Sequence, residues 1–202
     1  MPEKTDTPSA TTPGTDSPST ITPGKIESRR AYTGKIIAVD QDTVRFPDGS
    51  TGLLDIIRHP GASAVVPFLS SPEGDDPQLL LLKQYRYAAE QYLYEIPAGR
   101  LEPGEDPKHC AVRELREETG CEAASMEFLV TIYTTPGFTD ERIHIFMASG
   151  LEHGDTAHEA DEFMTIETVT LSQALQLIKD GQIPDAKSAL GILYAAGYRA
   201  GH

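Results

Sequence analysis

The feature that most constrains this chain is the segment Gly99–Gly120, GRLEPGEDPKHCAVRELREETG, in which a loop rich in turn residues runs into a charge-rich helix. Asp106 is a good helix N-cap, and Pro107 suits the first helical position because its missing N–H needs no partner there. Gly120 is the residue type that commonly ends a helix. The segment therefore predicts a helix of about four turns with both ends set by the sequence.

Three carboxylates of this predicted helix are spaced so that their oxygens can converge. Glu114, Glu117 and Glu118 stand at i, i+3 and i+4, which places them on one helix face. Like charges at this spacing repel by about 0.2–0.5 kcal/mol per pair even in water, so a bound cation would make the arrangement favourable. Oxygen ligands select a hard ion; Mg²⁺ fits best, Mn²⁺ is possible and zinc is disfavoured.

A simpler interpretation of the same helix is a solvated, charged surface. In that case Arg113 and Glu117 are an ordinary i, i+4 ion pair that binds nothing. The spacing of the glutamates alone does not separate the two interpretations, and the residues around the helix are needed to do so.

The overall charge limits the partners of the chain. With 17 Lys plus Arg against 31 Asp plus Glu, the formal net charge is -14, which disfavours nucleic acid and an anionic membrane surface. A phosphate-bearing substrate would then need divalent cations or a few well-placed arginines. The two cysteines, Cys110 and Cys121, are too few for a disulfide framework, and without a secretion signal or a membrane-spanning run the cytoplasm is the expected location.

Composition along the chain divides it into three parts. Residues 1–27 are rich in Thr, Ser and Pro and are predicted to form a disordered tail. Residues 28–60 are predicted to form a small antiparallel β-sheet, with strands at Arg30–Val39, Thr43–Phe46 and Leu53–Arg58 and turns at Asp40–Asp42 and Pro47–Gly49. Residues 61–202 have enough apolar content for one catalytic domain.

The catalytic part is predicted to hold a sheet with helices. The expected strands are Ser63–Leu69, Leu79–Leu82, Glu127–Thr134, Arg142–Ala148 and Phe163–Val169. They are followed by two expected helices, Leu171–Lys179 and Ala186–Ala196. The two final helices carry apolar residues at helical spacing and should cover one face of the sheet.

The glycine-bounded segment also matches a known motif. Its fixed positions correspond to the Nudix box, G-x5-E-x7-R-E-U-x-E-E-x-G-U, through Gly99, Glu105, Arg113, Glu114, Glu117, Glu118 and Gly120, with Leu115 and Cys121 at the apolar positions. A larger aliphatic residue is usual where Cys121 stands, which concerns packing and no catalytic role. The chain therefore resembles the Nudix hydrolases, and this match favours an ion-binding helix over a merely solvated, charged surface.

Beyond the box, roughly Arg30 to Tyr198 resembles the ADP-ribose pyrophosphatase branch of that family. The likeness is carried by Tyr94–Gly99 before the box, by Lys83–Arg86 on the preceding strand, and by the turn Thr135–Glu141 after the box. A proline near the position of Pro136 is a usual mark of this branch and is assigned to substrate binding. The alternative is a tight turn between strands, which Pro136 and Gly137 would form in any case.

The resemblance implies a fold and a reaction. The expected fold is a Nudix-type α/β/α sandwich with a mixed sheet, preceded by the small N-terminal antiparallel sheet. The expected reaction is Mg²⁺-dependent hydrolysis of the diphosphate bond of ADP-ribose to AMP and ribose 5-phosphate, by in-line attack of a water that the ion makes more acidic. Another nucleoside-diphosphate-sugar, such as GDP-mannose, is the alternative substrate, and an ADP-ribose sensor without catalysis is the second alternative.

The resemblance also assigns roles by position. The metal ligands are expected to be the backbone carbonyl of Ala98 and the carboxylates of Glu114 and Glu118, with Glu117 either ligating or orienting. Arg113 is expected to hold Glu117, and Glu105 to support the loop. The general base is expected in the acidic loop 153–163, where the candidates are Glu159, Asp161 and Glu162.

The remaining expectations concern the substrate and the partner. Arg86 is the predicted phosphate contact, since a guanidinium matches phosphate geometry with two hydrogen bonds, and a surface salt bridge is the alternative interpretation. Arg58 and Glu141 are further candidate substrate contacts. The N-terminal sheet resembles a part that relatives exchange between subunits, which implies a homodimer and a shared substrate pocket. No histidine is assigned a role.

Overall fold

The computed structural model describes residues 22–153 and 164–199. Their elements are β1 Gly24–Thr33, β2 Ala38–Arg45, β3 Thr51–Arg58, β4 Ala62–Pro67, β5 Gln78–Arg86, β6 Gln91–Glu95, β7 Ala98–Arg100, α1 Pro107–Thr119, β8 Cys121–Tyr133, β9 Arg142–His153, β10 Met164–Thr170, α2 Leu171–Lys179 and α3 Ala186–Arg199. Within these ranges, no helix combines the length and apolarity needed to span a bilayer.

A four-stranded mixed sheet forms the centre of the catalytic part. Its strand order is β7-β4-β9-β8, with β4 and β9 parallel and the other pairs antiparallel. A second sheet, β10-β5-β6, is antiparallel. Every residue of β4 is buried, as expected for a strand covered on both faces.

Alternate residues of β4 show how the helices cover the central sheet. Val65 packs with Leu115 of α1 in one buried cluster, whereas Val66 packs with Ile192 of α3 in another. Successive side chains of a strand point to opposite faces, so α1 and α3 lie on opposite sides of the sheet. The predicted α/β/α sandwich with a mixed sheet is confirmed, and α2 shares the face of α3.

The N-terminal sheet is present, but its predicted strand boundaries are wrong. β1 begins at Gly24, within the predicted tail, and the predicted strand Arg30–Val39 crosses a turn in which the Gly34 N–H donates to the Ile37 carbonyl at 2.8 Å. A local pattern of β-forming residues continued through this turn and concealed it.

The turn predicted at Asp40–Asp42 is also wrong, because these residues lie in the middle of β2. Both aspartates are at most 9% exposed and contact Arg58 of β3, and Asp40 also contacts Arg30 of β1. Cross-strand ion pairs compensate the burial of the carboxylates. This compensation comes from residues on other strands and cannot be read from the local sequence.

The N-terminal sheet is fastened to the turn that follows β8. The Ile57 N–H donates to the Phe138 carbonyl at 2.8 Å, and the Asp140 N–H donates to the Ile57 carbonyl at 3.3 Å. The Asp140 carboxylate accepts from Arg58 Nη1 at 3.2 Å and from the His59 N–H at 2.9 Å. These contacts, here called the Asp140 clamp, hold two parts of the chain that are far apart in sequence.

Elsewhere the predicted elements are found, most of them with ends that differ by a few residues from the prediction. Helix α2 has the predicted bounds and α3 runs three residues further, to Arg199. β8 begins at Cys121, six residues before the predicted start, and β9 continues to His153. The short strands β6 and β7 were not predicted as separate elements, because β6 has no clear period and β7 has only three residues.

Candidate active site

The ends of α1 are fixed by the capping residues that the sequence indicated. The Asp106 carboxylate accepts hydrogen bonds from the N–H groups of Lys108 and His109 at 2.9 and 3.3 Å. Gly120 adopts a left-handed conformation with φ of 68°, and its N–H donates to the Arg116 carbonyl at 2.8 Å. Capping at both ends fixes the length of the helix and so the direction of its polar face.

That face of α1 and the loop before it line a cavity of ≈600 Å³, here called the acidic cavity. It is bounded by Ile36, Arg86, residues 98–103 (strand β7 and the loop after it, together called the Ala98 loop), Arg113, Glu114, Glu117 and Glu118. Glu118 is only 5% exposed, and its Oε2 accepts the Ala98 N–H at 2.8 Å. This bond ties the loop to the helix, and it brings together the carboxylates and the carbonyl-bearing residue that the sequence singled out.

Arg113 organises the acidic side chains around the cavity. Its Nε and Nη2 donate to the two oxygens of Glu105 at 2.9 and 3.0 Å, and its Nη1 donates to Glu114 at 2.5 Å and to Glu117 at 3.0 Å. The hydrogen bonds from Arg113 lower the pKa of Glu105 to about 2. The pKa of Arg113 is raised in turn, first by its hydrogen bonds to Glu105. One guanidinium thus contacts three carboxylates and keeps one of them, Glu105, ionised.

Gly99 lies where the Glu114 carboxylate approaches the backbone closely. A Cβ at this position would lie 1.9 Å from the carboxyl carbon of Glu114. Any side chain at residue 99 would therefore push the Glu114 carboxylate out of its position across the loop.

The donor set of the acidic cavity fits a hard divalent cation. Its acidic side chains and the Ala98 carbonyl offer oxygen ligands only. The nearby Cys110 thiol is buried, which raises its pKa to about 11 and keeps it protonated. In the described residues no three His, Cys, Asp or Glu side chains already converge on one point. Arg113 holds two of the glutamates, so these would have to turn away from it to bind an ion.

A second cavity of ≈570 Å³ adjoins the acidic cavity and shares Arg86, Ala98, Gly99 and Arg100 with it. We call it the mixed cavity, because its lining also includes Glu95, Lys187, His59 and Glu141.

Arg86 lies between the two cavities and is held by a buried carboxylate. Its Nε and Nη2 donate to the two oxygens of Glu95 at 2.6 and 2.8 Å. Lys187 also contacts Glu95, and it donates to Asp185 at 2.8 Å. Burial would raise the pKa of Glu95, but Arg86 and Lys187 outweigh it and lower that pKa to about 2. Arg86, the predicted phosphate contact, is thus a cation whose orientation is fixed by Glu95.

The other predicted substrate residues are placed differently. Glu141 lines the mixed cavity. Arg58 lines neither cavity and instead bonds to Asp40, Asp42 and Asp140. Pro136 is exposed in a turn closed by the N–H groups of residues 138 and 139 on the Thr135 carbonyl, at 3.1 Å each. Arg58 therefore has a structural role in the N-terminal sheet, and Pro136 has one in the turn, and neither role requires a substrate.

Several residues of interest were missed or lie elsewhere. Glu159, Asp161 and Glu162, the candidates for the general base, lie outside the described residues. The sequence reasoning gave no role to Glu95, Lys187, Asp140 or His59. Glu95 stands within the segment quoted for the family likeness, which was a usable signal. Asp140 likewise stands within the quoted turn Thr135–Glu141, whereas Lys187 acts through a partner 92 residues away, and such pairing leaves no local signal.

The chain is similar in sequence and in fold to known proteins. A family model described as the NUDIX domain matches residues 59–189. The chain is 40% identical over 171 residues to a methanol dehydrogenase activator of Bacillus methanolicus and 38% identical over 171 residues to an ADP-ribose pyrophosphatase of Bacillus subtilis. Each alignment covers 84% of this chain and 90% of the relative. A crystal structure of an ADP compounds hydrolase superimposes with a TM-score of 0.74 at 22% identity, covering 92% of this chain and 98% of that one, which supports the fold.

Proposed function

The chain belongs to the Nudix family, and on that premise we propose that it hydrolyses the diphosphate bond of ADP-ribose, giving AMP and ribose 5-phosphate. The observation that carries the proposal is the acidic cavity, in which three glutamates of one helix face meet the Ala98 loop. A diphosphate is an anion, so it can enter such a cavity only with cations.

The ion expected there is Mg²⁺, with Mn²⁺ as a possible substitute. The Ala98 carbonyl, Glu114 and Glu118 would hold it, and Glu117 would ligate it or orient a ligand. When bound, the ion neutralises the diphosphate and lowers the pKa of the attacking water. Oxygen-only donors and the protonated state of the Cys110 thiol support a hard ion over zinc.

The other residues of the site position the substrate and the ligands. Arg113, bonded to Glu105, Glu114 and Glu117, holds these carboxylates beside the cavity, and Glu114 and Glu117 would turn from it towards a bound ion. Arg86 lines both cavities and would contact a phosphate while Glu95 holds its orientation. The base that takes the proton from water is proposed to come from the loop 153–163, with Glu159 and Glu162 as the candidates.

ADP-ribose is favoured over other nucleoside-diphosphate-sugars by the relatives. The Bacillus subtilis relative, named an ADP-ribose pyrophosphatase, aligns over 84% of this chain, which includes the whole acidic cavity. The Bacillus methanolicus relative, at 40% identity, is named for activating a dehydrogenase. A nicotinamide dinucleotide also contains a diphosphate and is the second substrate to compare. GDP-mannose is the third substrate to compare.

The test is product release from ADP-ribose, GDP-mannose, NADH and ATP, each with Mg²⁺ and again with EDTA. We expect AMP from ADP-ribose only when Mg²⁺ is present, at a kcat/KM at least about tenfold above the others. Equal turnover of GDP-mannose or NADH would overturn the substrate assignment. Tight binding of ADP-ribose with no hydrolysis of any compound would favour the sensor alternative.

A homodimer in the cytoplasm belongs with this proposal. Support for the dimer comes from the N-terminal sheet, where the apolar side chains of Ile26, Tyr32 and Leu53 are 51%, 58% and 64% exposed. Apolar side chains left exposed on one sheet favour burial against a partner. Light scattering on the purified chain should give twice the mass of 21.9 kDa, and a monomer at micromolar concentration would contradict the dimer.

A further inference from the structure

A buried serine of α3 holds the backbone that leads into the acidic cavity. Ser188 is 0% exposed, and its Oγ accepts a hydrogen bond from the Ile96 N–H at 2.9 Å. Ile96 is itself buried and stands two residues before Ala98, whose carbonyl is the proposed ion ligand. Ser188 is not among the described residues that line the acidic or the mixed cavity. It can therefore act on the site only through the backbone that it holds.

The Ser188 hydroxyl is oriented by Asp185, the residue that precedes α3. The hydroxyl donates its proton to Asp185 Oδ2, and the Ser188 N–H donates to the same oxygen at 3.0 Å. An aspartate before a helix commonly accepts the N–H of the residue three positions on. A hydroxyl has one proton and two lone pairs, so a lone pair remains for the Ile96 N–H. The acceptor offered to Ile96 is thus fixed in direction.

Close packing of α3 brings Ser188 within reach of Ile96. Gly191 follows Ser188 by three residues and so lies on the same side of the helix. A Cβ at Gly191 would lie 3.1 Å from Ile96 Cδ1 and 3.1 Å from Val66 Cγ2. The small residue at this position lets the helix approach Ile96 more closely than a larger residue would allow.

Two other elements hold the residues that follow Ile96. The Pro97 carbonyl accepts the Val65 N–H of β4 at 2.9 Å, and the Ala98 N–H donates to Glu118 of α1 at 2.8 Å. Neighbouring residues of an antiparallel strand direct their backbone polar groups to opposite sides. Since the Pro97 carbonyl points to β4, the Ala98 carbonyl points away from β4, towards the side on which its own N–H meets Glu118.

We propose that Ser188 is a positioning residue for ion binding, because it fixes the Ile96 peptide and through it the direction of the Ala98 carbonyl. The inference rests on the proposed function, in which this carbonyl binds the ion. It deepens that function by adding a residue from the face of the central sheet opposite α1.

The physical reason is the cost of an unpaired backbone group. A buried N–H that loses its acceptor is destabilising, so without the hydroxyl the Ile96 peptide would turn towards another partner. Residues 96–98 are joined by two planar peptide bonds, so such a turn would also redirect the Ala98 carbonyl. Mg²⁺ requires nearly ideal ligand geometry, and a redirected carbonyl would bind it less well.

The test is Mn²⁺ binding to the full chain without substrate, measured by electron paramagnetic resonance of the free ion. We expect Ser188→Ala to bind Mn²⁺ about tenfold more weakly than the wild type, the usual size of effect when a group that orients a metal ligand is removed. Hydrogen exchange of the Ile96 amide, followed by NMR, should be faster in the same variant. Ser188→Thr keeps the hydroxyl and should recover most of the lost affinity.

The matched control is Thr170→Ala, which removes the capping hydroxyl of the neighbouring helix α2. Thr170 Oγ1 accepts the Gln173 N–H at 3.2 Å, so its loss should lower Tm as the loss of a helix cap does and leave Mn²⁺ affinity unchanged. Equal Mn²⁺ affinity in Ser188→Ala and the wild type, an equal loss in Thr170→Ala, or no Mn²⁺ binding by the wild type would each overturn the positioning role.

Ion binding and hydrolysis are measured separately, so the two proposals can fail independently. If Ser188→Ala binds Mn²⁺ more weakly but the wild type does not hydrolyse ADP-ribose, the hydrolysis proposal fails and the positioning role stands. If the wild type hydrolyses ADP-ribose and Ser188→Ala binds Mn²⁺ equally well, the positioning role fails and the hydrolysis proposal stands.

Discussion

Glu118→Gln is expected to lower kcat for ADP-ribose by about 10³-fold, which corresponds to about 4 kcal/mol of transition-state stabilisation. Glu118 is 5% exposed and its Oε2 accepts the Ala98 N–H. A glutamine can keep that hydrogen bond through its carbonyl oxygen, but it loses the negative charge that an ion ligand supplies. Steady-state kinetics with saturating Mg²⁺ measure the loss.

The same variant should leave the fold intact. Removing a carboxylate from a crowded acidic face relieves repulsion when no ion is present, so the Tm of Glu118→Gln in EDTA should equal or exceed that of the wild type. The matched control is Glu122→Gln, at an exposed position on β8, which should keep both activity and Tm. Activity close to wild type in Glu118→Gln would remove Glu118 from the set of proposed ion ligands.

Glu95→Gln is expected to lower the free energy of unfolding by about 3 kcal/mol, because it leaves the buried Lys187 ammonium and the half-exposed Arg86 guanidinium beside a neutral amide. Glu95 is 3% exposed and contacts both Arg86 and Lys187. Urea unfolding followed by circular dichroism is a suitable measurement, since the chain has no tryptophan. A loss below about 0.5 kcal/mol, the usual size for surface substitutions, would contradict the buried network.

A double variant separates two causes of this destabilisation, the loss of the Glu95–Lys187 ion pair and the uncompensated charge left on Lys187. Adding Lys187→Met to Glu95→Gln removes one of the two cations, so the double variant should be less destabilised than the sum of the single variants. Additive losses would indicate that Lys187 and Glu95 stabilise the fold independently of each other.

The pH dependence of stability gives the same network a second readout. The pKa of Glu95 is lowered from 4.5 to about 2 in the folded chain. Because the folded pKa is the lower one, its contribution is fully present above about pH 4.5 and is lost as the pH falls towards about 2. The difference in unfolding free energy between the wild type and Glu95→Gln should therefore be largest above pH 4.5 and shrink below it.

Local signals in the sequence predicted the elements that local physics determines. The helix α1 has the predicted bounds because Asp106, Pro107 and Gly120 act within one turn of its ends. The meeting of Arg113 with Glu117 follows from helical spacing, and its contact with Glu105 spans only eight residues. These parts of the site need little information from the rest of the chain.

Pairing between distant residues could not be predicted in the same way. The turn at Asp40–Asp42 was expected because aspartates favour turns, whereas Arg58 and Arg30 stabilise them inside a strand. Lys187 reaches Glu95 across 92 residues. Such contacts depend on the assembled sheets, so a single sequence gives residue types without their partners.

The parallel pairing of β4 with β9 has a consequence for the order in which the chain folds. Ala62 pairs with Ile143, so the chain between them must close into a long loop. The conformational entropy of that loop is lost before the strand contacts compensate for it, which slows folding. A nascent chain that had emerged from the ribosome only as far as Cys121 would contain every motif residue but would lack β9. The central sheet on which α1 and the Ala98 loop rest is complete only after β9, which carries none of the motif glutamates, has been synthesised.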